Sequence, residues 1–162
     1  MQTGFDIMEY DSSLRKLWAK RLASDFIDYI ITLLLSWLIV SYLPFLHLNF
    51  ILTVFALQGV IWFIYSVIFD ALWGKTPGKF AFRIKAVSFI GDLNVLQSIV
   101  RNLTKLNIII FLGDIIAGLS TEGDPRQRLS ERLVDSLVIA EIKEERKIKA
   151  FKIEEKEELE LP

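Results

Sequence analysis

The chain has no cysteine, which excludes disulfides, thiolate metal sites and cysteine nucleophiles. It has one histidine, His47, so a multi-histidine metal site is excluded. Nor does a lone histidine in an apolar stretch make a credible serine–histidine–acid arrangement, and no metal-ligand spacing occurs. Charge of one sign is also lacking: 19 basic and 20 acidic residues leave a net charge of −1, which points to no nucleic-acid partner. The absence that decides most is local. Residues 29–69 contain no Asp, Glu, Lys or Arg over 41 positions. A bilayer core needs about 20 apolar helical residues per crossing. The stretch therefore fits two crossings joined by a tight turn and is too long for a buried helix pair in a soluble domain.

What is present is segregated. Hydrophobic residues make up 52% and charged residues 24% of the 162 positions, enough for one compact domain. The N-terminus carries acids and no basic region, and no small-residue cleavage site follows the first apolar run, so it reads as retained rather than as a signal peptide. Residues 1–11 look irregular. Asp11, Ser12 or Ser13 can cap a helix starting near Leu14. The first crossing is expected over residues 22–43 and the second over residues 50–73. Pro44 and Asn49 bracket the turn, His47 lies within it, and Tyr42, Phe45, Phe50 and Trp73 suit the interfaces.

Arg15, Lys16, Lys20 and Arg21 precede the first span, and Lys75, Lys79, Arg83 and Lys85 follow the second. The loop between them has no Lys or Arg, so the positive-inside rule puts both flanks in the cytoplasm. Pro77 and Gly78 suit a type II turn. Residues 82–89 alternate weakly, as a strand does, residues 135–142 form a second expected strand, and Gly91 and Asp92 read as a turn. Residues 94–120 form a third apolar segment. A full crossing there would leave Arg126, Arg128 and Arg132 outside, against the charge rule. Entry and return, with a break near Gly113 and Asp114, keeps the C-terminus cytoplasmic and lets the strands pair. The Lys/Glu-rich tail reads as solvated helix or disorder.

Polar residues form stripes. Arg21, Asp25, Asp28, Thr32 and Ser36 share one face of the first helix, at spacings of three or four. Gln58, Trp62, Ser66 and Asp70 do so on the second, and Gln97, Arg101 and Lys105 on the third. A charge at mid-bilayer costs about 2.5–3.5 kcal/mol on insertion scales, so such residues face the bundle interior and pair. Asp28 and Asp70 are expected to meet Arg101 or Lys105, with Arg21 and Asp25 nearer the cytoplasmic surface. These groups either fix helix packing or, through Asp28 with Asp70, bind and release a proton or cation. Asp114 reads as the polar apex of a re-entrant turn. Residues 74–79 are one residue short of a phosphate-binding loop, and Phe80 stands where Ser or Thr should hold Mg²⁺. Lys75, Lys79, Arg83 and Lys85 instead suit lipid phosphates.

These motifs together resemble the RDD family of membrane proteins. The likeness runs over residues 15–140. It is carried by Arg21 and Asp28 in the first helix, by Trp73-Gly-Lys-Thr-Pro-Gly-Lys79, by Arg101-Asn102, and by Gln127-Arg-Leu-Ser-Glu131. Ser130-Glu131 stands where the family has Gly-Asp, which keeps a carboxylate one methylene longer and adds Glu131 to the charge network. Phe80-Ala81-Phe82 replaces a basic, leucine-rich run. The resemblance implies a small membrane domain. Ion or proton-coupled transport has been proposed for some relatives.

The expectation is an all-α membrane protein, with a transmembrane helical hairpin, a third hydrophobic segment that re-enters, and a small cytoplasmic β-pairing. A cytoplasmic segment (1–13) precedes the membrane domain (14–140) and a charged tail (141–162). The protein is not expected to be an enzyme or to hold a cofactor. It should be a multi-pass protein of the cell membrane, moving a monovalent cation or proton, or else a structural, assembly or lipid-binding protein. So few helices make a poor pathway alone, so a homo-oligomer or a larger membrane partner is expected. Gly59 is a candidate contact between subunits.

Overall fold

The computed structural model describes residues 3–43, 49–89 and 91–141. Pro44, Phe45 and His47 of the expected outer turn, and the tail after Glu141, lie outside the described residues. Helix α1 (Gly4–Tyr10) occupies the start expected to be irregular. Thr3 and Asp6 explain it: the Thr3 hydroxyl accepts from the Asp6 N–H and the Asp6 carboxylate accepts from the Thr3 N–H, a reciprocal cap. Helix α2 (Ser12–Tyr42) is capped by Asp11, which accepts from the N–H groups of Ser13 and Leu14. Its 31 residues span roughly 46 Å at 1.5 Å per residue, so its basic first turns stand outside a ~30 Å hydrocarbon core. Helix α3 (Phe50–Trp73) returns beside it. It ends at Gly74, whose φ of 66° is left-handed, a conformation glycine adopts without a Cβ penalty.

The chain restarts at once in the short helix α4 (Pro77–Ala81). Thr76 caps it and Pro77 takes the first helical position, where its missing N–H costs nothing. The expected type II turn is therefore a helix start. Gly78 is used for its lack of a side chain instead: a Cβ there would lie 2.2 Å from the Ser24 carbonyl oxygen of α2.

Strands β1 (Ile84–Ser88) and β2 (Ser136–Ala140) pair antiparallel, with Ile84 opposite Ala140 and Ser88 opposite Ser136. Between them run α5 (Val95–Asn102), a 3-10 segment (Leu103–Leu106), α6 (Ile108–Ser120) and α7 (Leu129–Arg132). The third apolar segment bends by 115° between Leu106 and Ile108. The break thus falls at Asn107, not near Gly113 and Asp114. Asn107 is extended (φ −141°, ψ 128°) and its side chain accepts from the Ile109 N–H, so it ends one helix and caps the next. Gly113 sits inside α6.

The sheet holds both ends of this segment at one end of the bundle, so it enters and returns. Its tip packs on α3, where a Cβ on Gly59 would lie 2.1 Å from the Leu106 carbonyl oxygen. Gly59, expected between subunits, serves a contact within the chain. Leu14, Trp18, Trp62, Phe111, Ile115 and Leu119 form the apolar core between α2, α3 and α6. The outward faces of α2, α3 and α6 are apolar and exposed, with Leu34, Leu52 and Ile109 among them, as lipid-facing helices require.

Candidate functional site: a buried charge network

The three stripes meet. Arg21, Asp25, Asp28, Asp70, Arg101, Lys105 and Glu131 are all buried. Lys79, Asp114 and Arg128 join them. Among the described residues the interior thus holds five acids and five bases, a formally neutral set. Of the expected pairings it contains that of Asp70 with Arg101, and the others differ.

Glu131 is the centre of one cluster. Arg21 Nη2 donates to both its oxygens at 2.8 and 2.7 Å, Arg101 Nη2 at 2.8 Å and Arg128 Nη2 at 3.1 Å. Arg21 is buried against this carboxylate and lies over the Trp18 ring, 4.4 Å from its centroid. Burial alone would raise the Glu131 carboxyl. Arg21, Arg128 and Arg101 outweigh it and hold the group well below the usual glutamate range. Asp114 ties α6 to α7. It accepts from the Ser130 N–H and hydroxyl, both at 2.7 Å, with Arg128 Nε at 3.9 Å. It is a buried tie and not the apex of a turn, because the bend lies seven residues earlier.

Asp70 is the centre of the second cluster. Lys79 Nζ donates to its two oxygens at 2.6 and 2.9 Å, Asn102 Nδ2 donates at 3.0 Å, and Arg101 Nε lies at 3.5 Å. Arg101 therefore meets Asp70 as expected and joins the two clusters. Burial pushes the Lys79 ammonium down to about 8, while Asp70 pulls it upward. Lys105 goes to neither expected aspartate. It lies 3.3 Å from Asp25 Oδ1, donates to the Ser66 hydroxyl at 3.0 Å, and sits over the Trp62 ring.

Asp28 stands apart. Among the described residues it has no cation at ion-pair distance. Its carboxylate accepts from the Tyr65 hydroxyl at 3.0 Å, from the Gly78 N–H at 2.9 Å and from the Thr76 hydroxyl. The expected partners, Arg101 and Lys105, are held elsewhere by Glu131, Asp70 and Asp25. The turn through residues 74–79 takes their place, because Gly78 lets its backbone approach α2.

The four cations expected at lipid phosphates do not form one patch. Lys79 is buried against Asp70, since α4 folds it back under α3. Lys75 pairs with Glu141, Lys85 pairs with Asp92 at 2.8 Å, and Arg83 is exposed. Lys79 was missed as a network member because basic residues after a span read as surface charge. The signal that finds it is Gly74 followed by Thr76-Pro77, a helix stop and restart that reverses the chain. Arg128 was missed because its polar segment gives no periodicity.

A helical hairpin, a re-entrant pair and an internal charge-balanced network define a helical membrane domain. No soluble fold needs so wide an apolar exterior around ten buried charges. The chain belongs to the RDD family, whose family model matches residues 15–137. Comparison with curated proteins and with solved structures found no match.

Proposed function

We propose that this protein moves protons or monovalent cations across the cell membrane, with Asp28 as the group that takes them up and releases them. The observation that carries this reading is the partner set of Asp28. Among the described residues every other buried acid has a cation within 4.0 Å, whereas Asp28 is held by two hydroxyls and a backbone N–H. A carboxylate without a fixed counter-ion can exchange its charge partner without breaking a salt bridge. Intramembrane ionisable groups of this kind mark ion and proton paths. The protein acts without catalysis and in a homo-oligomer or with a larger membrane partner, since two crossings and a half-entering pair enclose little on their own. The basic residues at the sheet end support a cytoplasmic N-terminus and sheet.

The test is flux of H⁺, Na⁺ and K⁺ through purified protein in liposomes, beside Asp28→Asn. Flux in the native chain, lost in a variant that still folds with one cooperative thermal transition, supports the reading. No flux from a folded, oriented native sample overturns autonomous transport of these ions. A second reading, a structural or assembly subunit, is favoured by Glu131. That carboxylate ties together arginines from α2, α5 and the segment before α7. In that reading Asp28→Asn loosens the bundle or its oligomer and no flux exists to lose.

A further inference from the structure

A groove of about 450 Å³ lies where α3 meets the turn into α4, lined by Phe69, Trp73, Lys75, Thr76, Pro77 and Phe80. Three aromatic rings and a proline make it apolar, and Lys75 is the one charged residue in its wall. Phe69 and Trp73 pack along α3 with their rings tilted and the centroids 5.2 Å apart. Trp73 and Phe80 are more than half exposed. Trp73 marks the end of the span, so the groove sits at the level where acyl chains give way to headgroups. Lys75 is partly buried, and its ammonium pairs with Glu141 at the end of β2.

We propose that this groove seats one anionic phospholipid. An acyl chain lies against Phe69, Trp73 and Phe80, and the phosphate competes with Glu141 for Lys75. Charge and shape favour this occupant: an apolar trough that ends in one cation matches a molecule with a long apolar tail and one negative group. The lipid is thereby held at one built site, in place of the diffuse basic patch that the sequence suggests. Thr76, in the groove wall, also donates to Asp28, so the seat adjoins the carboxylate. The inference does not rest on ion movement at Asp28.

The test uses the full chain in detergent, titrated with phosphatidylglycerol and with phosphatidylcholine of matched chains, read by native mass spectrometry. The native protein should retain one phosphatidylglycerol in preference to phosphatidylcholine. Phe80→Ala and Trp73→Ala should lower retention of both lipids. Leu72→Ala, as exposed but outside the groove, should change neither. Lys75→Gln should reduce the preference for phosphatidylglycerol about fivefold, the worth of one lysine at an anionic surface. Glu141→Gln should raise that preference, a gain that misfolding cannot produce. Equal retention by native protein and Phe80→Ala overturns the site. So does a headgroup preference that ignores both Lys75→Gln and Glu141→Gln.

Discussion

Glu131 faces three guanidinium groups and has no exposure to solvent. Removing one partner of a buried ion pair leaves charge without compensation, at about 3–5 kcal/mol. Glu131→Gln keeps the shape and removes the charge, so it should cost at least that much and lower the thermal transition sharply in detergent. Asp28→Asn should be milder, about 1–3 kcal/mol, because it disturbs hydrogen bonds to neutral groups and strands no cation. Similar losses in the two variants would refute this difference. The same carboxylate sets an acid limit. Its folded-state pKa is depressed below the unfolded value of about 4.3. Its contribution is therefore complete above about pH 4.3 and is lost as pH falls through the lower folded value. A pH titration of the transition should show stability falling in that acid range, and Glu131→Gln should flatten this part of the curve. The periodic stripes made six of these buried groups readable from sequence, since spacing reports which face a residue occupies, while Glu131 came from the family resemblance. Apart from Asp70 with Arg101, the partners were not readable, because periodicity carries no information about which residues of two facing stripes touch.

Two glycines control how the elements approach. A Cβ on Gly78 would meet the Ser24 carbonyl oxygen at 2.2 Å and the Asp28 carboxyl at 2.9 Å. One on Gly59 would meet the Leu106 carbonyl oxygen at 2.1 Å. The two carbonyl oxygens belong to helix backbone and cannot swing aside, so Gly78→Ala should lift α4 from α2 and Gly59→Ala should lift the bend from α3, each at about 1–3 kcal/mol or more. Gly113 is the control. It lies inside α6 with nothing within 4 Å of a built Cβ, so Gly113→Ala should stabilise by about 0.5–1 kcal/mol through helix propensity alone. Thermal transitions of the three variants check the order, and a harmless Gly78→Ala would contradict the close approach of the turn to Asp28. The hairpin and both strands were legible, because a charge-free run, a weak alternation and short apolar runs bounded by turn residues are one-dimensional signals. The bend was misplaced by six residues, since glycine is a general helix breaker in sequence while Asn107 acts through a specific cap. Helix α1 was missed because its Thr3 and Asp6 cap lies in a segment too short to show a period.

At the scale of the molecule, the two-stranded sheet decides the topology. β1 precedes the third apolar segment and β2 follows it, and their five-residue register cannot form across a bilayer. The absence of cysteine makes this testable with single introduced thiols at exposed positions. Ser13→Cys, Asp92→Cys and Glu122→Cys lie at the sheet end or in the first turn of α2, whereas Asn49→Cys lies at the start of α3. An impermeant thiol reagent applied to intact cells should label Asn49→Cys alone, and lysis should expose the other three. Labelling of Glu122→Cys together with Asn49→Cys, and not of Asp92→Cys, would mean that the third segment crosses and that the strands cannot pair. The inverse pattern, with the three sheet-end positions labelled and Asn49→Cys protected, would keep the fold but reverse its orientation. The positive-inside reading would then fail even though Arg15, Lys16 and Lys20 stand at that end. The four positions therefore separate the re-entrant geometry, which rests on backbone pairing, from the sidedness, which rests on charge.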